Sequence, residues 1–144
     1  MTDTTDEIRI VYYRLDEVAR WRRNPKRHDI GALVESIRRH GMIDPPKRDP
    51  SLNGGTGGLL YGNGRDEALE WMHAQGDPLP RGCKLDDDGT WLMPVKEGVD
   101  APNEQEAEAA AIAHNNLVLS GGDFTAFDMA RMWDQAAYAD ILAG

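Results

Sequence analysis

Four consecutive residues, Gly62-Asn63-Gly64-Arg65, have the composition of an anion site. The glycines tolerate positive φ and let a ligand come close to the backbone. The apolar run Leu59-Leu60-Tyr61 precedes them, and Ala68, Leu69 and Met72 follow at helical spacing, so the order is strand, glycine turn, helix. A helix that starts at such a turn presents unpaired N–H groups and the positive end of its dipole. Arg65 then falls in the first turn, where a cation opposes that dipole by a few tenths to about 1 kcal/mol. A phosphate at the same place reverses the sign, because the planar guanidinium grips phosphate oxygens in pairs. The plainer alternative is a tight strand-to-helix turn with Arg65 solvated or paired to Asp66 or Glu67. Spacing alone leaves the two readings level.

Other residue groups carry less chemistry. Asn53-Gly-Gly-Thr-Gly-Gly58 is glycine-rich but lacks the Gly-Lys-Ser/Thr of a P-loop and reads as a hairpin loop. His28, His40, His73 and His114 have no metal-ligand spacing with one another or with Cys83, and only His114 attracts interest, because it adjoins Asn115. The Asp86–Asp88 run lacks the alternation of a calcium loop and reads as a solvated turn. Arg20, Arg22, Arg23, Lys26 and Arg27 cluster around Trp21. They form either a solvated loop or a contact for phosphate or DNA, in which Arg22, Arg23, Lys26 and Arg27 would take part. Trp71, Trp91 and Trp133 fit core positions better than stacking platforms.

The elements that must position these residues follow from periodicity. Residues 8–13, Ile-Arg-Ile-Val-Tyr-Tyr, predict a first strand. Asn24-Pro25 breaks the chain, Asp29 is a helix N-cap, and Ile30, Leu33, Val34 and Ile37 form one helical stripe. Gly41 suits the position after the last helical turn, and Pro45-Pro46 stops any continuation. A short strand is expected near Lys47, a hairpin turn at Asp86–Gly89, and a strand over Trp91–Val95, which Pro94 would place at a sheet edge. Glu104 to Leu119 is rich in Ala and Glu and reads as a helix. Gly121-Gly122 ends it, and Thr125-Ala-Phe-Asp128 opens a further one with Ala126, Met129, Ala130, Trp133 and Ala137 on one stripe. The expected fold class is α/β (α+β): a small mixed sheet with helices. The expected organisation is a disordered 1–7, one domain over 8–120, and a helical extension over 121–144.

Bulk properties narrow the function classes. The chain has 144 residues and a net charge of −9, with a pI near 4.8. An acidic chain argues against free-standing DNA binding, which draws on phosphate neutralisation. The basic residues nonetheless gather before position 50, and the acidic excess comes later. There is no run of 18 apolar residues for a membrane span, and the polar, acidic Met1–Glu7 is unlike a secretory signal. A single cysteine fits a reducing cytoplasm.

Four segments in order resemble the ParB/sulfiredoxin superfamily over roughly residues 8–130. Asn24-Pro25-Lys26 is similar to its Asn-Pro-Arg element. Leu33-Val-Glu-Ser-Ile-Arg-Arg-His-Gly-Met-Ile-Asp-Pro45 resembles its Ser-Ile helix ending in Gly-x-x-x-Pro. Gly62-Asn-Gly-Arg-Asp-Glu-Ala68 resembles its Gly-Glu-Arg-Arg-x-x-Ala signature, and more closely the Gly-x-Gly-Arg form that accompanies DNA methyltransferases. Glu106 to Asn115 is similar to the late helix with its Glu-Asn element. The resemblance implies a nucleotide-phosphate pocket, taking CTP or ATP, between the glycine turn and this helix. Gly62, Asn63, Gly64 and Arg65 would line it, with His114 and Asn115 opposite, Gly41 and Pro45 shaping the facing loop, and Mg²⁺ accompanying the nucleotide. Weak NTPase or phosphotransferase activity in a partition, phage or DNA-modification context is implied; the alternatives are a non-catalytic adaptor of a DNA methyltransferase complex and a metal-dependent nuclease recruiting Asp44, Asp66 and Glu67. Gly64 and Val118 stand where partition proteins carry arginines, which weakens the case for triphosphate switching. Asn63 stands at the sulfiredoxin cysteine, so that thiol chemistry is absent.

Overall fold

The computed structural model describes residues 6–23 and 29–119. Its strands are β1 (Arg9–Arg14), β2 (Lys47–Asp49), β3 (Gly58–Tyr61), β4 (Lys84–Leu85) and β5 (Trp91–Glu97). The helices are α1 (Ile30–His40), α2 (Leu52–Gly55, one irregular turn), α3 (Asn63–Ala74) and α4 (Glu104–Leu119). The strands form one mixed sheet in the order β1-β5-β2-β3, with β4 also paired to β5. Only the β2–β5 contact is parallel. The fold is therefore a small α/β domain of mixed sheet and helices, as the periodicity indicates.

The signals that end α1 act as expected. Asp29 Oδ1 accepts from Ala32 N at 3.0 Å, and Gly41 closes the helix at φ 81°. The hairpin from β4 to β5 turns at Asp86–Gly89, with Asp86 N donating to Thr90 O at 2.9 Å. Arg14 reaches into that turn and pairs with Asp86, Asp88 and Asp16, so the acidic run is held by one cation.

One position contradicts its sequence signal. Pro94 does not mark an edge, since β5 lies inside the sheet with β1 on one side and β2 and β4 on the other. Lys96 N faces β2, donating to Pro46 O at 2.7 Å, so the ring nitrogen of Pro94, two residues earlier, faces the same side. There it falls between the β4 pairing at Leu92 and the β2 pairing at Lys96. No ladder donor is needed in that gap, so proline does no damage.

The two faces of the sheet are covered unequally. The inner face carries the main core: Val34 and Ile37 from α1, Ala68, Leu69 and Met72 from α3, and Leu59, Trp91, Met93 and Val95 from the strands. Burying each large member contributes about 1.5–3 kcal/mol. The outer face carries a second cluster of Trp21, Leu52 and Ala107, with Leu60, Ala101 and Ala111 against it. That cluster seats α4. Trp91 is a core residue, as read from sequence, but Trp71 is 46% exposed, with Arg38 5.8 Å from its ring centroid. Trp133 and the stripe over 126–137 lie outside the described residues. Cys83 is half-buried against the main core, and burial pushes its thiol up to about 11. Among the described residues, no helix is long and apolar enough to cross a membrane.

Candidate anion site at the glycine turn

The chain reaches the turn from β3 and leaves it as α3. Gly62 is the helix N-cap residue, in the left-handed region at φ 85° and ψ 14°. A Cβ there would sit 2.5 Å from Pro46 Cβ and 2.7 Å from Pro46 Cα, so glycine is required by packing as well as by φ. Asp66 N donates to Gly62 O at 3.1 Å and closes the first turn, and no side chain caps the helix.

The polar residues of the turn divide sharply. Asn63 is buried; its Oδ1 accepts from Trp21 N at 3.0 Å and its Nδ2 donates to Leu59 O at 3.0 Å. Asn53 acts as its counterpart in the β2–β3 loop, accepting from Arg22 N and donating to Arg20 O and Gly57 O. Its left-handed φ of 54° aims the amide inward, so this glycine-rich loop is a fixed clasp. The two asparagines hold residues 20–22 beside β3, where Leu59 N donates to Ala19 O at 3.0 Å. Asp66 is fully buried and accepts from Arg20 Nε at 2.8 Å, while Arg20 also meets Glu70. Burial pushes the Asp66 carboxyl up to about 6, against the opposing pull of Arg20. Its Oδ1 and the Trp21 indole Nε1 are buried without hydrogen-bond partners.

Arg65 differs from its neighbours. It is half-buried in the first turn of α3 and makes no hydrogen bond or ion pair with any described residue. Neither Asp66 nor Glu67 pairs with it, because Asp66 is already engaged by Arg20. Gly64 beside it is buried.

The late helix reaches the same end of the sheet. The His114 ring stacks on Tyr61, the residue before Gly62, with centroids 4.1 Å apart and planes within 4°. Asn115 follows, half-buried. Lys96 Nζ donates to Tyr61 OH at 3.0 Å and lies 3.3 Å from Asp44 Oδ1. Burial opposes the Lys96 charge, but Tyr61 and Asp44 outweigh it and its pKa stands above the usual value. Tyr61, Lys96 and Asp44 carried no sequence signal of their own as a group. The strand register brings the first two together, since Lys47 pairs with both Tyr61 and Lys96.

Other sequence candidates fall elsewhere. Gly41 packs against residue 81: a Cβ on it would meet Arg81 Cβ and Arg81 O, each at 2.9 Å, and Met42 N donates to Arg81 O. Pro45 is half-buried and precedes the Pro46 that packs on Gly62. Arg22 and Arg23 are exposed, and Arg23 lies 3.6 Å from Glu108 of α4. Lys26 and Arg27 lie outside the described residues. Asp44 and Asp66 are not brought together, the first meeting Lys96 and the second Arg20. Among the described residues no three His, Cys, Asp or Glu side chains gather as a metal site. No family model, curated protein or solved structure matches the chain.

Proposed function

We propose that the glycine turn binds nucleotide phosphates in the manner the ParB/sulfiredoxin resemblance implies. The amino end of α3 and the Arg65 guanidinium form the phosphate seat, and His114 and Asn115 of α4 lie across from it. One observation carries this reading: within Gly62–Asp66 every polar side chain is used up by the fold except that of Arg65. A half-buried guanidinium at the positive end of an uncapped helix is unfavourable alone and favourable beside an anion. The Tyr61–His114 stack and Lys96 add aromatic surface and positive charge close by. Any Mg²⁺ would arrive with the triphosphate, with Asn115 as the nearest neutral oxygen donor of the late helix. The biological setting that fits is a DNA-related one, with CTP or ATP as ligand.

The test is thermal denaturation of the full chain with CTP or ATP and Mg²⁺. The wild type gains several degrees at millimolar nucleotide, and Arg65→Ala gains none while its unliganded midpoint stays within about 2 °C, as expected of a surface change. Absence of any nucleotide shift in the wild type overturns the proposal.

A further inference from the structure

α4 covers only half of the outer sheet face. His114 sits over Tyr61 of β3, and Ala107 and Ala111 pack toward Leu52 and Leu60. Over β5 and β1 the same face is bare. Ile8, Ile10 and Tyr12 alternate along the first strand and are 67%, 49% and 36% exposed. Ile10 stands opposite Lys96, and Tyr12 opposite Pro94. The patch therefore runs about 13 Å along the strand. Lysines flank it: Lys84 lies 4.1 Å from the Tyr12 ring centroid, and Lys96 lies at the other end.

We infer that this bare half of the sheet is the docking surface for the chain's own residues 123–141. That segment carries the apolar stripe Ala126, Met129, Ala130, Trp133 and Ala137, and it holds Asp123, Asp128, Asp134 and Asp140 against the single Arg131. Its acidic, amphipathic character complements an apolar surface rimmed by lysines. A second copy of the chain fits worse. A two-fold contact would set Lys84 and Lys96 against the same residues of the partner, between chains of net charge −9 each. The dimensions also agree. From β3 to β1 is three strand spacings, about 14 Å. Residues 120–124, which include Gly121-Gly122, can span up to about 17 Å. A helix over 125–141 would be about 25 Å long, and the seven residues of β5 extend about 23 Å.

A benzophenone photo-cross-linker placed at Ile10 of the full chain tests this, in an equal mixture of ¹⁴N- and ¹⁵N-labelled protein. The expected products join the Ile10 peptide to residues 123–141 with both peptides carrying one isotope label. The same group at exposed Gln75, at the end of α3, gives the background. Adding Trp133→Asp to the Ile10 probe cuts the product at least ten-fold. Mixed-isotope products would assign the surface to a second copy and overturn the inference. So would a yield at Ile10 no higher than at Gln75, or indifference to Trp133→Asp.

Discussion

The inner and outer layers of this sheet solve the same problem with very different means. On the inner side, α1 and α3 lay long apolar side chains across the strands and seal eleven residues into one cluster. On the outer side only Trp21, Leu52 and Ala107 are buried, and polar clasps from Asn53, Asn63 and Asp66 hold the chain in place. The first layer draws on apolar area, which tolerates exchange of one hydrophobe for another. The second draws on directed bonds in a dry setting, where a lost partner leaves an unsatisfied group. The candidate ligand site belongs to the second layer, so its shape depends on bonds more than on bulk.

Removing bulk from the inner layer has the largest effect. Leu69→Ala, at a position with no exposure, should cost about 3–5 kcal/mol, seen as a lower urea midpoint with an unchanged slope. Leu52→Ala in the outer cluster should cost about 2 kcal/mol, and hydrogen exchange should locate the loss in α4 rather than in the whole domain. Equal global effects would erase the distinction between the layers. Next comes Gly62→Ala, which meets both the left-handed backbone and Pro46 and should cost about 3 kcal/mol in chemical denaturation.

The buried carboxylate sharpens the contrast through pH. Asp66 titrates at about 6 in the folded chain, above the roughly 3.9 of an unfolded aspartate. The native state therefore holds its proton longer than the unfolded state. This contribution to stability is complete below about pH 4 and is lost as pH rises through 6, by about 3 kcal/mol in all. Asp66→Asn should remove that slope while preserving an acceptor for Arg20 Nε. A stability curve that keeps the same slope in the variant would show that another group titrates there. Arg65→Ala should be the mildest of these changes for folding, below about 0.5 kcal/mol, because Arg65 has no described partner to lose. A larger loss would move Arg65 from the ligand side of the comparison to the structural side.

Legibility from sequence followed the range of the interactions. α1 was readable because its stripe, its Asp29 cap and its Gly41 stop all lie within a dozen residues. α4 was readable from its unbroken Ala-Glu run. The glycine turn was legible as a strand-to-helix junction, but the duties of Asn63 and Asp66 were not, since Trp21 and Arg20 lie 42 and 46 residues away in the chain. Nothing local in Asn-Gly-Arg-Asp tells an amide that clasps backbone from one that faces ligand. Pro94 misled for a related reason. The rule that confines proline to sheet edges concerns a missing donor, and the gap between β2 and β4 supplies an interior place where none is required. Trp71 misled because the helical stripe fixes which face a residue lies near, not how far a large ring extends beyond it.

The half-buried sulfhydryl against the main core has a practical corollary. With its ionisation pushed to about 11, only about one molecule in 10⁴ carries the reactive anion at neutral pH. Cys83 is thus a quiet bystander toward maleimides and iodoacetamides. A cysteine introduced at position 65 or on the first strand would take up a fluorophore or spin label selectively, with the native residue left in place.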